Sequence, residues 1–182
     1  DFLRIFVALH LRKTYIIPDR KRMMKMPHDG QNPSLQKPIV MDDLLQLTKA
    51  ALTPVDAVLT RAKECVRELV SIDGRVSGAE IEAHQTAAHG LAWLATYAQS
   101  LRQMQAWAEN LHAQGKFGET EQLIHQIAFG EYLWQIYGGI QMNQGEIVRL
   151  QDLGLGQSEM RALMEPAVMT LTQSGNTQAA RT

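Results

Sequence analysis

Residues 77–112 read SGAEIEAHQTAAHGLAWLATYAQSLRQMQAWAENLH, and this stretch decides the fold class. Ser77 stands three residues before Glu80, which is the spacing of a capping box at a helix N-terminus. The helical pattern then continues to about His112. This predicts one helix of roughly 35 residues, on the order of 50 Å long.

The long helix carries two apolar seams. One consists of Ala87, Leu91, Leu94, Ala98, Leu101 and Ala108, and the other of Trp93, Tyr97, Met104, Trp107 and Leu111. A helix that is apolar on two adjacent faces packs between neighbours, as in a bundle.

Further helices are predicted on both sides of this stretch. The first starts at Asp42 and Asp43, restarts or kinks at Thr53-Pro54 and runs to Ser71. A third covers 119–137, with Trp134 as a core anchor, and its largely inward residues are Leu123, Ile124, Ile127, Ala128, Tyr132, Leu133, Trp134 and Ile136. A short helix follows Asn143, and a last one spans 158–171 with a bend at Pro166. Strand patterns are nearly absent, and Asp73-Gly74 is predicted to be an interhelix turn.

Composition sets the outer limits on function. The chain has 182 residues, of which 45% are hydrophobic and 20% charged, so one globular domain is expected. The single cysteine, Cys65, excludes a disulfide framework and favours a reducing, cytoplasmic location. No apolar run of about eighteen residues exists, so no membrane partner is expected. The net charge of −1 excludes a globally basic nucleic-acid binder.

Charge is unevenly distributed along the chain. Residues 1–40 hold eight Lys and Arg and three Asp and Glu, whereas residues 41–182 hold ten and sixteen. The first part also contains four prolines and lacks apolar periodicity, so residues 1–41 are predicted to form a basic, disordered arm. Its residues Arg20, Lys21, Arg22 and Lys25 could contact RNA or an anionic membrane, or simply be solvated. The sequence opens with Asp1, and Met26 and Met41 are plausible starts.

The remaining chain divides into a helical bundle over 42–172 and a linker or cut end over 173–182. No catalytic residue and no metal site are predicted, since no H-E-x-x-H spacing and no Ser/His/Asp arrangement occur. Glu80, Glu82 and His84 indicate a solvated first turn. Glu131, between Phe129-Gly130 and Tyr132-Leu133-Trp134, is either partly buried with a raised pKa or exposed on the outer stripe.

A resemblance covers most of residues 42–172. It rests on GRVSGAEIEAHQTAAHGLAWLATY at 74–97, QMQAWAE at 103–109 and QIAFGEYLWQIYGG at 126–139. This block resembles the N-terminal extension of a bacterial flavoprotein of the acyl-CoA dehydrogenase family. The resemblance implies FAD-dependent oxidation of (2S)-methylsuccinyl-CoA to mesaconyl-CoA in the ethylmalonyl-CoA pathway by the full-length enzyme.

A second likeness lies inside the first. Gln135, Ile136, Gly138 and Gly139 are similar to the Q-I-x-G-G turn that this family places near the ADP portion of the flavin. These residues are weak candidates for cofactor binding, with a plain helix end as the alternative. The Y-E-G-T-like segment that carries the catalytic base in many members is absent after Leu155.

The resemblance implies an accessory or oligomerisation segment that is cut off before the dehydrogenase body. Such enzymes need a β-domain for flavin and substrate, so this segment alone is expected to hold no cofactor and to be inactive. Its partner would be the dehydrogenase body of the same chain, in a homodimeric enzyme. Trp93, Tyr97, Met104 and Trp107 are the candidate docking surface. The alternative function is a free-standing helical interaction module.

Overall fold

The computed structural model describes residues 40–182, in which helices are joined by short turns and two small hairpins. In chain order the elements are α1 Leu44–Leu69, β1 Ser71–Ile72, β2 Arg75–Val76, α2 Gly78–Ala83, α3 Gln85–Ala113, α4 Glu119–Gly138, β3 Ile140–Gln141, β4 Ile147–Val148, the 3₁₀ helix Leu150–Leu153, α5 Gln157–Leu163, α6 Pro166–Ser174 and α7 Gln178–Arg181. The predicted helical bundle with one long helix is confirmed, the long helix being the 29-residue α3. Helix α1 packs along α3, and α4 packs between α3 and α6.

Most of the predicted N-terminal arm lies outside the described residues, including Arg20, Lys21, Arg22 and Lys25. Its last residue, Met41, is described. The backbone N–H of Met41 donates a hydrogen bond of 2.8 Å to Oε1 of Gln126 on α4. The chain is therefore attached to the bundle one residue earlier than the predicted boundary at 42.

Helix α1 is continuous although Pro54 lies inside it. The predicted restart at Thr53-Pro54 is wrong. Proline in a helix interior removes one hydrogen bond and costs roughly 3 kcal/mol. The buried face of α1 continues on both sides of Pro54, with Ala51 and Val55 fully buried, and this packing holds the helix together.

The predicted 35-residue helix is interrupted at His84. The start signal is confirmed, because Oγ of Ser77 accepts a hydrogen bond from the N–H of Glu80. Helix α2 then ends at His84, whose φ of −117° and ψ of 35° are not helical. None of the six residues of α2 is buried, whereas the buried face of α3 begins at Ala87. Packing therefore fixes the direction of α3 and leaves α2 free to deviate from it.

The Asp-Gly pair forms a hairpin turn, not a plain interhelix turn. Strands β1 and β2 pair antiparallel on either side of it, with Ser71 opposite Val76. Asp73 and Gly74 have φ values of 50° and 76°. Two successive residues in the left-handed region are the geometry of a type I′ turn, for which Asp-Gly is a preferred sequence.

The predicted short helix after Asn143 is wrong as well. Strands β3 and β4 form a second hairpin there, with Ile140 opposite Val148 and both side chains buried. Oδ1 of Asn143 accepts hydrogen bonds from the N–H groups of Gly145 and Glu146. The asparagine thus stabilises a turn. An asparagine side chain can accept backbone hydrogen bonds in a turn as well as at a helix N-terminus.

The C-terminal residues pack against α4. Residues 173–182 were predicted to be a linker or cut end, but α6 continues to Ser174 and Ala180 of α7 is buried. The approach to α4 is close at Gly130, where an added Cβ would lie 2.8 Å from the backbone nitrogen of Asn176. The predicted bend at Pro166 is a complete break, since this proline is the first residue of α6.

Helix α4 matches its predicted bounds within one residue. The predicted inward positions Leu133 and Ile136 are confirmed, whereas the prediction is wrong for Ile124 and Trp134. Trp134 is 54% exposed and Ile124 is 38% exposed, so neither is a core anchor. The buried positions are His125, Gln126, Phe129, Gly130, Leu133 and Ile136.

Candidate functional site

Glu131 lies at the centre of a hydrogen-bonded cluster between α3, α4 and the C-terminal residues. Its Oε1 accepts a hydrogen bond of 2.5 Å from Nε2 of Gln135. Its Oε2 accepts one of 2.5 Å from Nδ2 of Asn176. The hydroxyl of Tyr97 donates to Oε1 of Gln135 at 2.6 Å. We call Tyr97, Glu131, Gln135 and Asn176 the Glu131 cluster.

The cluster has the character of a structural link. Burial raises the pKa of Tyr97 to about 12, with smaller contributions from the neighbouring Tyr132 and Glu131. Tyr97 therefore keeps its proton near neutral pH and acts as a hydrogen-bond donor. Both oxygens of the Glu131 carboxylate already accept hydrogen bonds, and the side chain is half-buried. Of the two alternatives for Glu131, the structure shows partial burial.

The residues that resemble the flavin-associated turn are used within the chain. Both ends of the Gln135 amide are hydrogen-bonded, to Tyr97 and to Glu131. Gly138 is the last residue of α4, and Gly139 caps the helix with a φ of 132°. A Cβ at Gly139 would lie 2.5 Å from the side chain of Ile147. Gln135 and Gly139 are therefore engaged by neighbours within the described part of the chain, whereas a Cβ at Gly138 would meet nothing within 4 Å.

The predicted docking surface is divided by the structure. Tyr97 and Met104 are buried, at 5% and 4% exposure, so they belong to the core and the prediction is wrong for them. Trp93 and Trp107 are half-exposed. Trp93 donates from Nε1 to Nε2 of His89 at 3.2 Å. Trp107 packs edge-on against Phe117, with ring centroids 6.5 Å apart.

A second polar cluster, which the sequence analysis missed, joins α1, α3 and α4. Nε2 of His125 lies 3.0 Å from Oγ1 of Thr48, and that hydroxyl lies 2.7 Å from Oε1 of Gln105. Nε2 of Gln105 donates to Oε1 of Glu109, which also accepts from Lys49. Both hydrogen bonds lower the pKa of Glu109, and the one from Gln105 has the larger effect. We call Thr48, Gln105, Glu109 and His125 the His125 cluster.

His125 is completely buried at the centre of this cluster. Its ring lies between those of Phe117 and Phe129, at centroid distances of 5.9 and 4.7 Å. Burial lowers the pKa of His125 to about 4, and the nearby Glu109 opposes this shift. Within residues 40–182 its Nδ1 has no hydrogen-bond partner. The neutral ring is accordingly the stable form, with Nε2 facing the Thr48 hydroxyl.

The other titratable candidates show no assembled site. Nε2 of His84 lies 3.7 Å from Glu80 on the exposed first turn, as the sequence indicated. Cys65 is buried, and its Cβ would be 3.1 Å from a Cβ at Gly154. In the part of the chain that the structure describes, no three His, Cys, Asp or Glu side chains are grouped as metal ligands. None of the helices in that part has the length and hydropathy of a membrane span.

One exposed apolar face stands out on α4. Ile124, Ile127, Glu131 and Trp134 follow one another at helical spacing, and Leu123 and Ala128 flank them. We call these six residues the α4 outer face. Ile124 and Trp134 are exposed and the other four are half-buried. The signal that could have revealed this face is the presence of apolar residues on every side of α4.

Comparison with known proteins finds one similarity to report. The (2S)-methylsuccinyl-CoA dehydrogenase of Cereibacter sphaeroides is 51% identical to this chain over 144 residues, which are 78% of this chain and 25% of the dehydrogenase. The resemblance predicted from the sequence is thus confirmed as a similarity to that dehydrogenase. The chain spans a quarter of the length of this relative. No family model matches the sequence.

Proposed function

We propose that this chain is the helical accessory segment of an FAD-dependent acyl-CoA dehydrogenase. The observation that carries the proposal is the 51% identity to a quarter of the C. sphaeroides (2S)-methylsuccinyl-CoA dehydrogenase. The proposed reaction of the whole protein is the oxidation of (2S)-methylsuccinyl-CoA to mesaconyl-CoA in the ethylmalonyl-CoA pathway. The proposed location is the cytoplasm, and the proposed assembly is a homodimer.

We propose that the segment has a structural role and not a catalytic one. Its two polar clusters hold helices together: the Glu131 cluster joins α4 to α3 and the C-terminus, and the His125 cluster joins α4 to α1 and α3. We therefore place catalysis and flavin binding in the rest of the dehydrogenase.

A chimera tests this function. In it, the residues of this chain that match the C. sphaeroides dehydrogenase replace their counterparts in that enzyme. The chimera should be purified with flavin absorbance and should reduce an artificial electron acceptor when given (2S)-methylsuccinyl-CoA. The 182-residue chain alone should do neither. A chimera that cannot form a flavoprotein, or a chain that oxidises the thioester by itself, would contradict the proposal.

A free-standing helical interaction module is the second candidate. The exposed Trp134 and Ile124 on the α4 outer face favour it, because exposed apolar patches often mark interaction sites. The same chimera separates the two functions. If the chain supports neither folding nor activity of the dehydrogenase but stays folded alone, the module is the better assignment.

A further inference from the structure

Helix α4 has apolar residues on every side, although only one side of it faces the described core. His125, Phe129, Leu133 and Ile136 are buried against the bundle. The opposite side is the α4 outer face, in which Trp134 is 54% exposed. A helix at the surface of a bundle normally presents charged and polar residues on its solvent-facing side. A helix with apolar residues on every side is normally buried on every side.

The charge distribution sharpens this contrast. No Lys or Arg occurs between Lys116 and Arg149, so α4 carries no cation at all. The one charged group of the α4 outer face is Glu131, and its two carboxylate oxygens accept hydrogen bonds from Gln135 and Asn176. The face consequently offers a partner an apolar surface with a large aromatic side chain, and tryptophan is enriched among residues that dominate binding energy.

We infer that the α4 outer face is the surface through which this chain docks on the remaining three-quarters of the dehydrogenase, an inference that rests on the proposed function. We choose the rest of the dehydrogenase as the partner of this face because of its length. The similar dehydrogenase has three-quarters of its length outside the part that matches this chain. A partner within the same polypeptide is present at high effective concentration, so a modest apolar face suffices to hold it.

The two most exposed aliphatic side chains among residues 40–182 do not form a comparable surface. Ile72 and Val76, at 53% and 59% exposure, lie on the first hairpin. Ile72 is opposite Arg75 and Val76 is opposite Ser71. Neighbouring pairs of a hairpin point to opposite faces, so these two side chains point away from each other. The α4 outer face instead aligns its apolar residues in a single stripe.

The test uses the chimera with matched pairs of substitutions. The test pair is Trp134→Lys with Ile124→Lys, at sites that are 54% and 38% exposed. The control pair is Ile72→Lys with Met169→Lys, at sites that are 53% and 42% exposed. Both pairs add the same charge at similar exposure. In the isolated 182-residue chain, neither pair should shift the unfolding temperature by more than a few degrees, since exposed substitutions have small effects.

Limited proteolysis of the chimera, at the junction that follows the inserted segment, is the measurement. The test pair should increase the cleavage rate by roughly tenfold or more, because loss of an anchoring aromatic raises the undocked population. The control pair should leave the rate unchanged. Equal cleavage for the two pairs, with the unsubstituted chimera protected, would overturn the α4 assignment and leave the proposed function standing.

Two further outcomes would lead to different conclusions. If the unsubstituted chimera is cleaved at the junction as fast as a flexible linker, the accessory function itself fails. If the isolated chain sediments as a dimer that the test pair converts to a monomer, while cleavage of the chimera is unaffected, the occupant is a second copy and the inference is overturned.

Discussion

Replacement of His125 by glutamine should remove most of the acid sensitivity of this bundle between pH 7.5 and pH 5. The perturbation targets a completely buried imidazole whose pKa is lowered to about 4, chiefly by burial, from an ordinary value of 6.5. Protonation would place a proton on Nδ1, which has no acceptor among residues 40–182. The folded chain therefore resists taking up a proton that the unfolded chain binds readily.

The sign and size of the effect follow from these two pKa values. Because the folded pKa is the lower one, stability is full above pH 6.5 and is lost as the pH falls toward 4. Each unit between the two values is worth about 1.4 kcal/mol. At pH 5 the folded state should be destabilised by about 2 kcal/mol relative to pH 7.5. Glu109 acts in the same direction only at lower pH, because its own pKa is lowered from the carboxyl value of 4.5.

Urea unfolding at a series of pH values, followed by circular dichroism, measures this loss. The wild-type chain should lose about 2 kcal/mol of unfolding free energy over the window, and His125→Gln should lose much less. His112→Gln is the matched control, since His112 is exposed near the end of α3 and should leave the wild-type slope intact. If His125→Gln and wild type show the same slope, the buried-histidine reasoning is refuted.

Three further substitutions test the packing by urea unfolding at neutral pH. Gly130→Ala should cost roughly 1–3 kcal/mol, because its Cβ would lie 2.8 Å and 2.9 Å from backbone atoms of Asn176 and Leu171; Gly138→Ala, where a Cβ meets nothing within 4 Å, is the control and should be neutral or stabilising. Tyr97→Phe should cost about 1 kcal/mol through loss of the hydrogen bond to Gln135, and an unchanged stability would show that the Glu131 cluster contributes nothing to the fold. Trp134→Ala in the isolated chain should cost less than about 1 kcal/mol, because the side chain is 54% exposed, and a loss of about 3 kcal/mol would place it in the core.

Helix positions were predictable from the sequence where a local signal fixed them. The cap at Ser77 and the Gly-Gly end of α4 are both chemistry between near neighbours, and both are present in the structure. The break at His84 was not predictable, because it arises where an exposed turn meets a buried helix. The turn at Asn143 shows the same limit, since one side chain can cap either a helix or a turn.

The inward face of α4 could not be predicted from periodicity. A helix with apolar residues on all sides offers no preferred face, so period alone cannot choose between Leu133 and Trp134. The structure buries Leu133 completely and leaves Trp134 54% exposed. It also buries His125 and Gln126, which are polar, and partners on other elements hydrogen-bond to Nε2 of His125 and to the Gln126 amide. Those partners are 77 residues away for His125 and 49 for Gln126, beyond the reach of any local pattern.

The positions of the polar groups explain why the outer surface of α4 is the informative one. Near its start, α4 is linked to α1 and α3 through His125, and Gln126 accepts from Met41 and donates to Gly175. Near its end, Glu131 and Gln135 link it to Tyr97 and Asn176. Both links engage polar side chains of α4 with neighbouring elements, and Glu131 is the one charged residue on the α4 outer face. In a fold held only by apolar packing, a rotation of α4 would bury Trp134 and expose polar groups. The two clusters oppose that rotation, since it would leave their buried donors and acceptors unpaired. The exposure of Trp134 is therefore maintained by hydrogen bonds elsewhere on the same helix, as a docking surface requires.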